Sequence, residues 1–230
     1  MARLPRLTVP GLPHHVIWRG NNGEVVCRDA QDRSDLLALL AEQARSNGVR
    51  VHAYVLLDAQ IHLLLTPTSE GALSRMMQGV GRAYVRRFNL RHGRTGTLWE
   101  GRFRCTVVEP GDALLACMVL LDTEPVHQGL ALTPQAFAWS SLGHYIGQRS
   151  EGWLVAPAPY WELGNTPFAR EMAYAELVAK GLDAAERQRL TDAALKGWAL
   201  GSEGFVRSLH QQTSRRVTKG RPGRPARRSA

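Results

Sequence analysis

The feature that most constrains this 230-residue chain is a pair of short apolar runs, residues 49–57 (VRVHAYVLL) and 61–66 (IHLLLT), separated only by Asp58, Ala59 and Gln60. Both read as strands, and so short a connection lets them pair as an antiparallel hairpin. Each side of the hairpin carries a helical pattern. Residues 32–47 place Leu36, Leu37, Leu39, Leu40 and Ala44 on an apolar face, and Asn47-Gly48 supplies a stop. Residues 71–92 repeat Leu73, Met76, Met77, Val80, Tyr84 and Phe88 at helical spacing, with Arg75, Arg82 and Arg86 on the other side. Residues 14–19 (HHVIWR) form a β-prone run closed by the turn signal Gly20-Asn21-Asn22-Gly23, and residues 102–108 read as a further strand after the turn-rich 94–97. A last helix is expected from Gly111 to about Asp122; its stretch LLACMVLL is apolar almost all round, which argues for burial against a sheet.

The order is therefore β-α-β-β-α-β with an additional helix. This is an α+β, ferredoxin-like arrangement in which an antiparallel four-stranded sheet lies against two helices on one face. Beyond Trp139-Ser140-Ser141 the character changes: residues 153–167 are rich in Pro and aromatics, 168–179 and 184–195 are helical, 197–204 is a Gly-punctuated turn and 205–212 a short helix. From Thr213 apolar content nearly vanishes. The expected division is a sheet domain over 1–150, a helical extension over 151–212 and a basic, disordered tail over 213–230.

Composition narrows the class. With 44% hydrophobic and 21% charged residues the chain can bury a real core, which excludes wholesale disorder. Cys27, Cys105 and Cys117 are too few and too scattered for a disulfide scaffold or zinc knuckle. No apolar run reaches signal-peptide or membrane-span length, so a soluble, reducing, cytoplasmic (bacterial, nucleoid-associated) setting is expected, with no membrane partner. The net charge is +9, and it is concentrated: eight Arg against one Glu over residues 71–108, and seven Lys+Arg with no acid over 213–230. Two such blocks on an otherwise mildly acidic body point to a polyanion, most simply nucleic acid; a solubilising surface is the alternative.

Three stretches carry more than scaffold: PGLPHHVIWRGNN, HAYVLLDAQIHLLLTP and GRAYVRRFNLRHGRTGTLWEGRF. With LLACMVLLDTEPVHQGL and AWSSLGHY they resemble, in order from about Leu4 to Tyr145, the REP-associated tyrosine transposases, relatives of the single-tyrosine HUH transposases. The resemblance implies a ferredoxin-like domain acting on single-stranded or hairpin DNA. It also implies a metal site of two His at i and i+2 on one strand face, in a run like PNHVHLLL. Here that run is DAQIHLLL, so His62 is present and Gln60 replaces the other imidazole; an amide oxygen can ligate Mg²⁺ but is not equivalent, leaving Mg²⁺ or Mn²⁺ weakly bound. The nucleophilic tyrosine belongs in a run resembling CMRYIELNPVRAG. In the matching CMVLLDTEPVHQG, Leu120 stands at its position and Glu124 at that of the polar third ligand. Leucine cannot form a covalent phosphodiester intermediate, so no catalytic set is intact.

For DNA binding the candidates are Arg75, Arg82, Arg86, Arg87, Arg94, Arg102 and Arg104, with Trp99 as a stacking surface, and in the tail Arg215, Arg216, Lys219, Arg221, Arg224, Arg227 and Arg228. The tail's two GRP units resemble AT-hooks, and a general phosphate-binding tail fits as well. Trp99 has an alternative role in core packing under a loop, and Tyr54, Tyr84, His14, His15 and His52 read as structural. The expected function is recognition of single-stranded or hairpin DNA without covalent cleavage. The alternatives are an endonuclease using Gln60, His62 and Glu124 to activate water, and an RNA-binding module on the same fold.

Overall fold

The computed structural model describes residues 6–213 and 215–218. Its first strand is β1 (His14–Arg19), followed by α1 (Ala30–Asn47), β2 (Val49–Leu56), β3 (Gln60–Pro67), α2 (Ala72–Arg91), β4 (Arg104–Val107) and α3 (Asp112–His127). The strands form one four-stranded sheet in the order β2-β3-β1-β4, antiparallel throughout. This is the expected ferredoxin-like arrangement, and a helical region follows it: α4 (Leu142–Tyr145), α5 (Ala158–Trp161), α6 (Pro167–Lys180), α7 (Ala184–Lys196) and α8 (Glu203–Gln212).

Strand alternation assigns the two faces. Val16 and Trp18 of β1 and Ile61, Leu63 and Leu65 of β3 join α1 and α2 in one core. Ala53 and Val55 of β2 and Leu64 of β3 join α3 and the C-terminal helices in a second core on the opposite face. A β-bulge between Val51 and Ala53 makes this possible in β2. The extra residue shifts the alternation, so Val51 and Tyr54 both reach the first core although three positions apart.

Local chemistry sets the element ends. Asp29 caps α1 by accepting from the Asp32 N–H at 3.0 Å, and Gly48 closes it in the left-handed region at φ 64°. The third helix runs five residues past its expected end, to His127, with Pro125 inside it. Proline withholds only its own N–H there, and the Thr123 hydroxyl bonds the Val119 carbonyl one turn earlier at 2.8 Å. The strand expected over 102–108 shortens to Arg104–Val107, because the Trp18 indole bonds the Gly101 carbonyl at 3.1 Å and Val108 instead bonds Pro13. The stretch expected to be irregular contains the single turn α5, and α8 begins two residues early, at Glu203, where Ser202 caps it. Residues 198–200 run along β4, with Leu200 N–H donating to Val107 O at 2.9 Å, so the edge strand is covered.

Candidate nucleic-acid interface

On the second face of the sheet, α3 packs on β2 and β3 while α7 packs on β4 and β1. Between them His15 and His62 are fully buried. Their rings meet edge to edge, His15 Nε2 to His62 Nδ1 at 3.4 Å, and the outer nitrogens, His15 Nδ1 and His62 Nε2, have no hydrogen-bond partner. Burial pushes the His15 imidazole down to about 4 and holds His62 well below the usual range, with the His15 and Arg19 charges adding to the effect. Both rings are therefore neutral at physiological pH.

The three residues that the resemblance implied as metal ligands each have a partner outside the set. Gln60 accepts from Arg19 Nε at 3.2 Å, His62 faces His15, and Glu124 accepts from Gln128 at 2.9 Å. Among the described residues no group of three or more His, Cys, Asp or Glu side chains is arranged to hold a metal ion. His15 and His62 each keep one unpartnered nitrogen, but no third His, Cys, Asp or Glu is grouped with them among the described residues, so the pair falls short of a cation site. Leu120 lies wholly within the second core, and the next polar position, Asp122, is closed off by α6, whose Tyr174 hydroxyl donates to it at 2.6 Å. Burial pushes the Asp122 carboxyl up to about 7.

On the opposite side of β1 the packing leaves a cleft beside Trp18. Trp18 passes across α2 at Gly81, where a Cβ would stand 2.5 Å from its ring, and it stacks on Trp99 at 4.1 Å with Phe103 edge-on at 6.4 Å. The aromatic wall lines a cleft of about 640 Å³ between α2 and residues 97–103. Arg6, Arg82, Arg86 and Arg102 stand around it, the Arg6 guanidinium lying 3.8 Å above the Phe103 ring. Apolar aromatic surface ringed by guanidinium groups can take an unpaired base on the wall and its phosphates on the rim.

Of the sequence candidates, Arg82, Arg86 and Arg102 border this cleft, and Trp99 lines it while being only 4% exposed. Arg75 and Arg87 are exposed elsewhere on α2, Arg75 bonding the Glu70 carbonyl. Arg94 is engaged internally: it pairs with Glu24 at 2.6 Å and bonds Asn89. Arg104 and Arg215 line a separate small cavity, and Arg216 is exposed. Lys219, Arg221, Arg224, Arg227 and Arg228 lie outside the described residues. Tyr54 and Tyr84 are buried and bonded to Glu151 and to the Val26 carbonyl. His14 and His52 are tied into loops through the Leu12 and Val155 carbonyls. Sequence reasoning missed Arg6, Trp18 and Phe103. The signal for Trp18 is Gly81, a small residue in mid-helix that admits a large partner.

Residues 8–114 match the family model described as IS200-like transposase. A structure of the REP-associated tyrosine transposase bound to a REP hairpin is similar over 69% of this chain and 93% of its own, at 14% identity and a TM-score of 0.55. A crystal structure provisionally assigned as a transposase from Deinococcus radiodurans R1 is similar over 47% of this chain and 87% of its own, at 23% identity and a TM-score of 0.37. A search of curated proteins found no match. The sheet, its paired helices and the aromatic-basic cleft all fall almost wholly within the matched segment, and that segment, residues 8–114, is similar to the IS200-like transposase family, in keeping with the sequence resemblance.

Proposed function

We propose that this chain binds hairpin or single-stranded DNA and does not cut it covalently. The cleft between α2 and residues 97–103 carries the reading: largely buried Trp18, Trp99 and Phe103 line its floor inside a ring of four arginines, in a segment similar to transposases. Arginine forks around an aromatic-floored cleft suit phosphates flanking an unpaired base, which a hairpin loop or a single strand offers and a continuous duplex does not. The solved relative bound to a REP hairpin supports the choice of ligand. Loss of cleavage is supported by Leu120 in the core, by the buried His15–His62 pair, and by the separate partners of Gln60 and Glu124.

Labelled hairpin DNA, incubated with the protein and Mg²⁺ or Mn²⁺ and run on native and denaturing gels, tests this. The expected result is a shifted complex on the native gel with intact, unattached DNA on the denaturing one, and weaker competition by an RNA hairpin of the same sequence. A denaturation-resistant adduct refutes the loss of covalent chemistry. Nicking abolished by His62→Ala establishes a water-using nuclease, and stronger competition by RNA establishes an RNA-binding module.

A further inference from the structure

The second basic cavity, outside the aromatic cleft, lies where the C-terminal extension returns to the sheet. It holds about 180 Å³ between β4 and the turn after α7. Arg6, Arg102, Arg104, Lys196 and Arg215 line it, and no acidic side chain does. Gly197 ends α7 in the left-handed region at φ 70°, and a Cβ there would come within 3.0 Å of the Arg215 guanidinium, so a glycine lets that side chain lie against the turn. Arg215 donates once, from Nη2 to the Gly197 carbonyl at 3.0 Å, while its buried Nε and Nη1 have no partner. Two unpartnered guanidinium nitrogens withdrawn from water are costly unless an anion meets them. Burial correspondingly lowers the Arg215 pKa. The side chains of Arg102 and Arg104, on the β4 side, have no hydrogen-bonded or ion-paired partner among the described residues.

The segment carrying Arg215 is anchored. Val217 is buried with Leu7, Val107 and Leu209, and its carbonyl accepts from Ala199 N–H at 2.9 Å. Thr106 of β4 donates to the Trp198 carbonyl, which fixes the turn from the other side. The cavity is thus a built feature of the junction.

From this arrangement we infer that the cavity between β4 and the α7 turn binds a backbone phosphate of single-stranded DNA, with Arg215 of the C-terminal extension closing on it from one side and Arg104 from the other. The inference rests on the DNA-binding reading above and deepens it. The cavity and the aromatic cleft share Arg6, Arg102 and Phe103, so a strand whose unpaired base lies against the aromatic wall can seat a neighbouring phosphate here. A recessed cavity selects a flexible single strand, since a duplex backbone is too stiff to dip one phosphate into it. The extension, which lies beyond the matched segment, thereby becomes part of the nucleic-acid site.

Fluorescence anisotropy with labelled oligo-dT, using the full chain and its Arg215→Gln and Arg104→Gln variants across a salt series, tests the inference, with a labelled hairpin as the parallel probe. Arg104 is exposed, so its variant keeps the test sound if Arg215→Gln unfolds. Each variant is expected to weaken oligo-dT binding about tenfold and to flatten the log–log salt slope by about 0.7, the value for one single-strand phosphate contact. Wild-type binding of the hairpin but not of oligo-dT overturns the inference alone, as does unchanged oligo-dT affinity in folded variants. Failure of the wild type on both probes overturns the DNA-binding reading itself.

Discussion

The buried His15–His62 pair makes a quantitative statement about acid stability. An unfolded imidazole takes up its proton near pH 6.5, whereas His15 in the fold resists until about pH 4 because charging it would strand a cation between α3, α7 and the sheet. Its folded pKa is depressed, so the stability this neutral ring contributes is complete above about pH 6.5 and is lost as pH falls toward 4. With both rings essentially unexposed, solvent screening gives no discount. Linkage over that window gives a loss of about 2 kcal/mol for His15 between about pH 7.5 and about pH 5. His62 moves in the same direction. Urea unfolding of the wild type and of His15→Leu at those two pH values isolates the effect, because the variant loses the same contact to His62 at both. The variant should lose about 2 kcal/mol less on acidification. Equal acid losses would refute the neutral, sealed pair. So would a rise in wild-type melting temperature on adding Mn²⁺ that His15→Leu abolishes, since only rings open to a cation could produce it.

Joint replacement Arg82→Ala and Arg86→Ala should leave the thermal melt unchanged and lower the oligo-dT salt slope by about 1.4, read by anisotropy; an unchanged slope removes α2 from the interface. Trp99→Ala should destabilise the fold by about 3–5 kcal/mol in urea, as loss of a buried aromatic does, because Trp99 stacks on Trp18 within the first core; a variant as stable as wild type would make Trp99 a surface platform with no packing role. The double change Gln60→His and Leu120→Tyr should give no covalent DNA adduct on a denaturing gel and should cost about 1–3 kcal/mol through overpacking of the second core. An adduct would show that these positions still share a site.

How far the sequence could be read follows from the range of the interactions concerned. The strand at residues 14–19, the hairpin and both helices of the first core are local patterns of alternation, 3.6-residue spacing and Asn-Gly or Gly stops, and they stand where those patterns put them. The end of α3 was not legible, because what carries the helix through Pro125 is burial in the second core rather than propensity. Arg94 looked like a phosphate clamp within an arginine-rich stretch, yet Glu24, 70 residues away, is its partner. No sequence window contains that pair. Arg6, Trp18 and Phe103 come together only when β1, the N-terminal segment and the 97–103 loop are assembled. The cover that α7 places over β1 and β4 is equally non-local: its sequence announces an amphipathic helix and says nothing of which face receives it.

Alternation along β1 puts the positions of the implied chemistry and the proposed DNA-binding cleft on opposite sides of one strand. His15 and Ile17 look toward α3 and α7, whereas Val16 and Trp18 look toward α1 and α2. The implied metal and nucleophile positions, His62 and Leu120, lie on the first of these sides, and the aromatic-basic cleft lies on the other. An apolar side chain at position 120 therefore joins the packing among α3, β2 and β3 without displacing any residue that shapes the Trp18–Trp99 wall. The converse also holds, since Gly81 meets Trp18 and no residue of α2 belongs to the second core. Substitutions on the two sides of one strand share no partners, and such sites add nearly independently. A sheet of this kind can fill one face with leucine and a C-terminal helix while the cleft bordered by α2 on its other side keeps its guanidinium groups and aromatic rings.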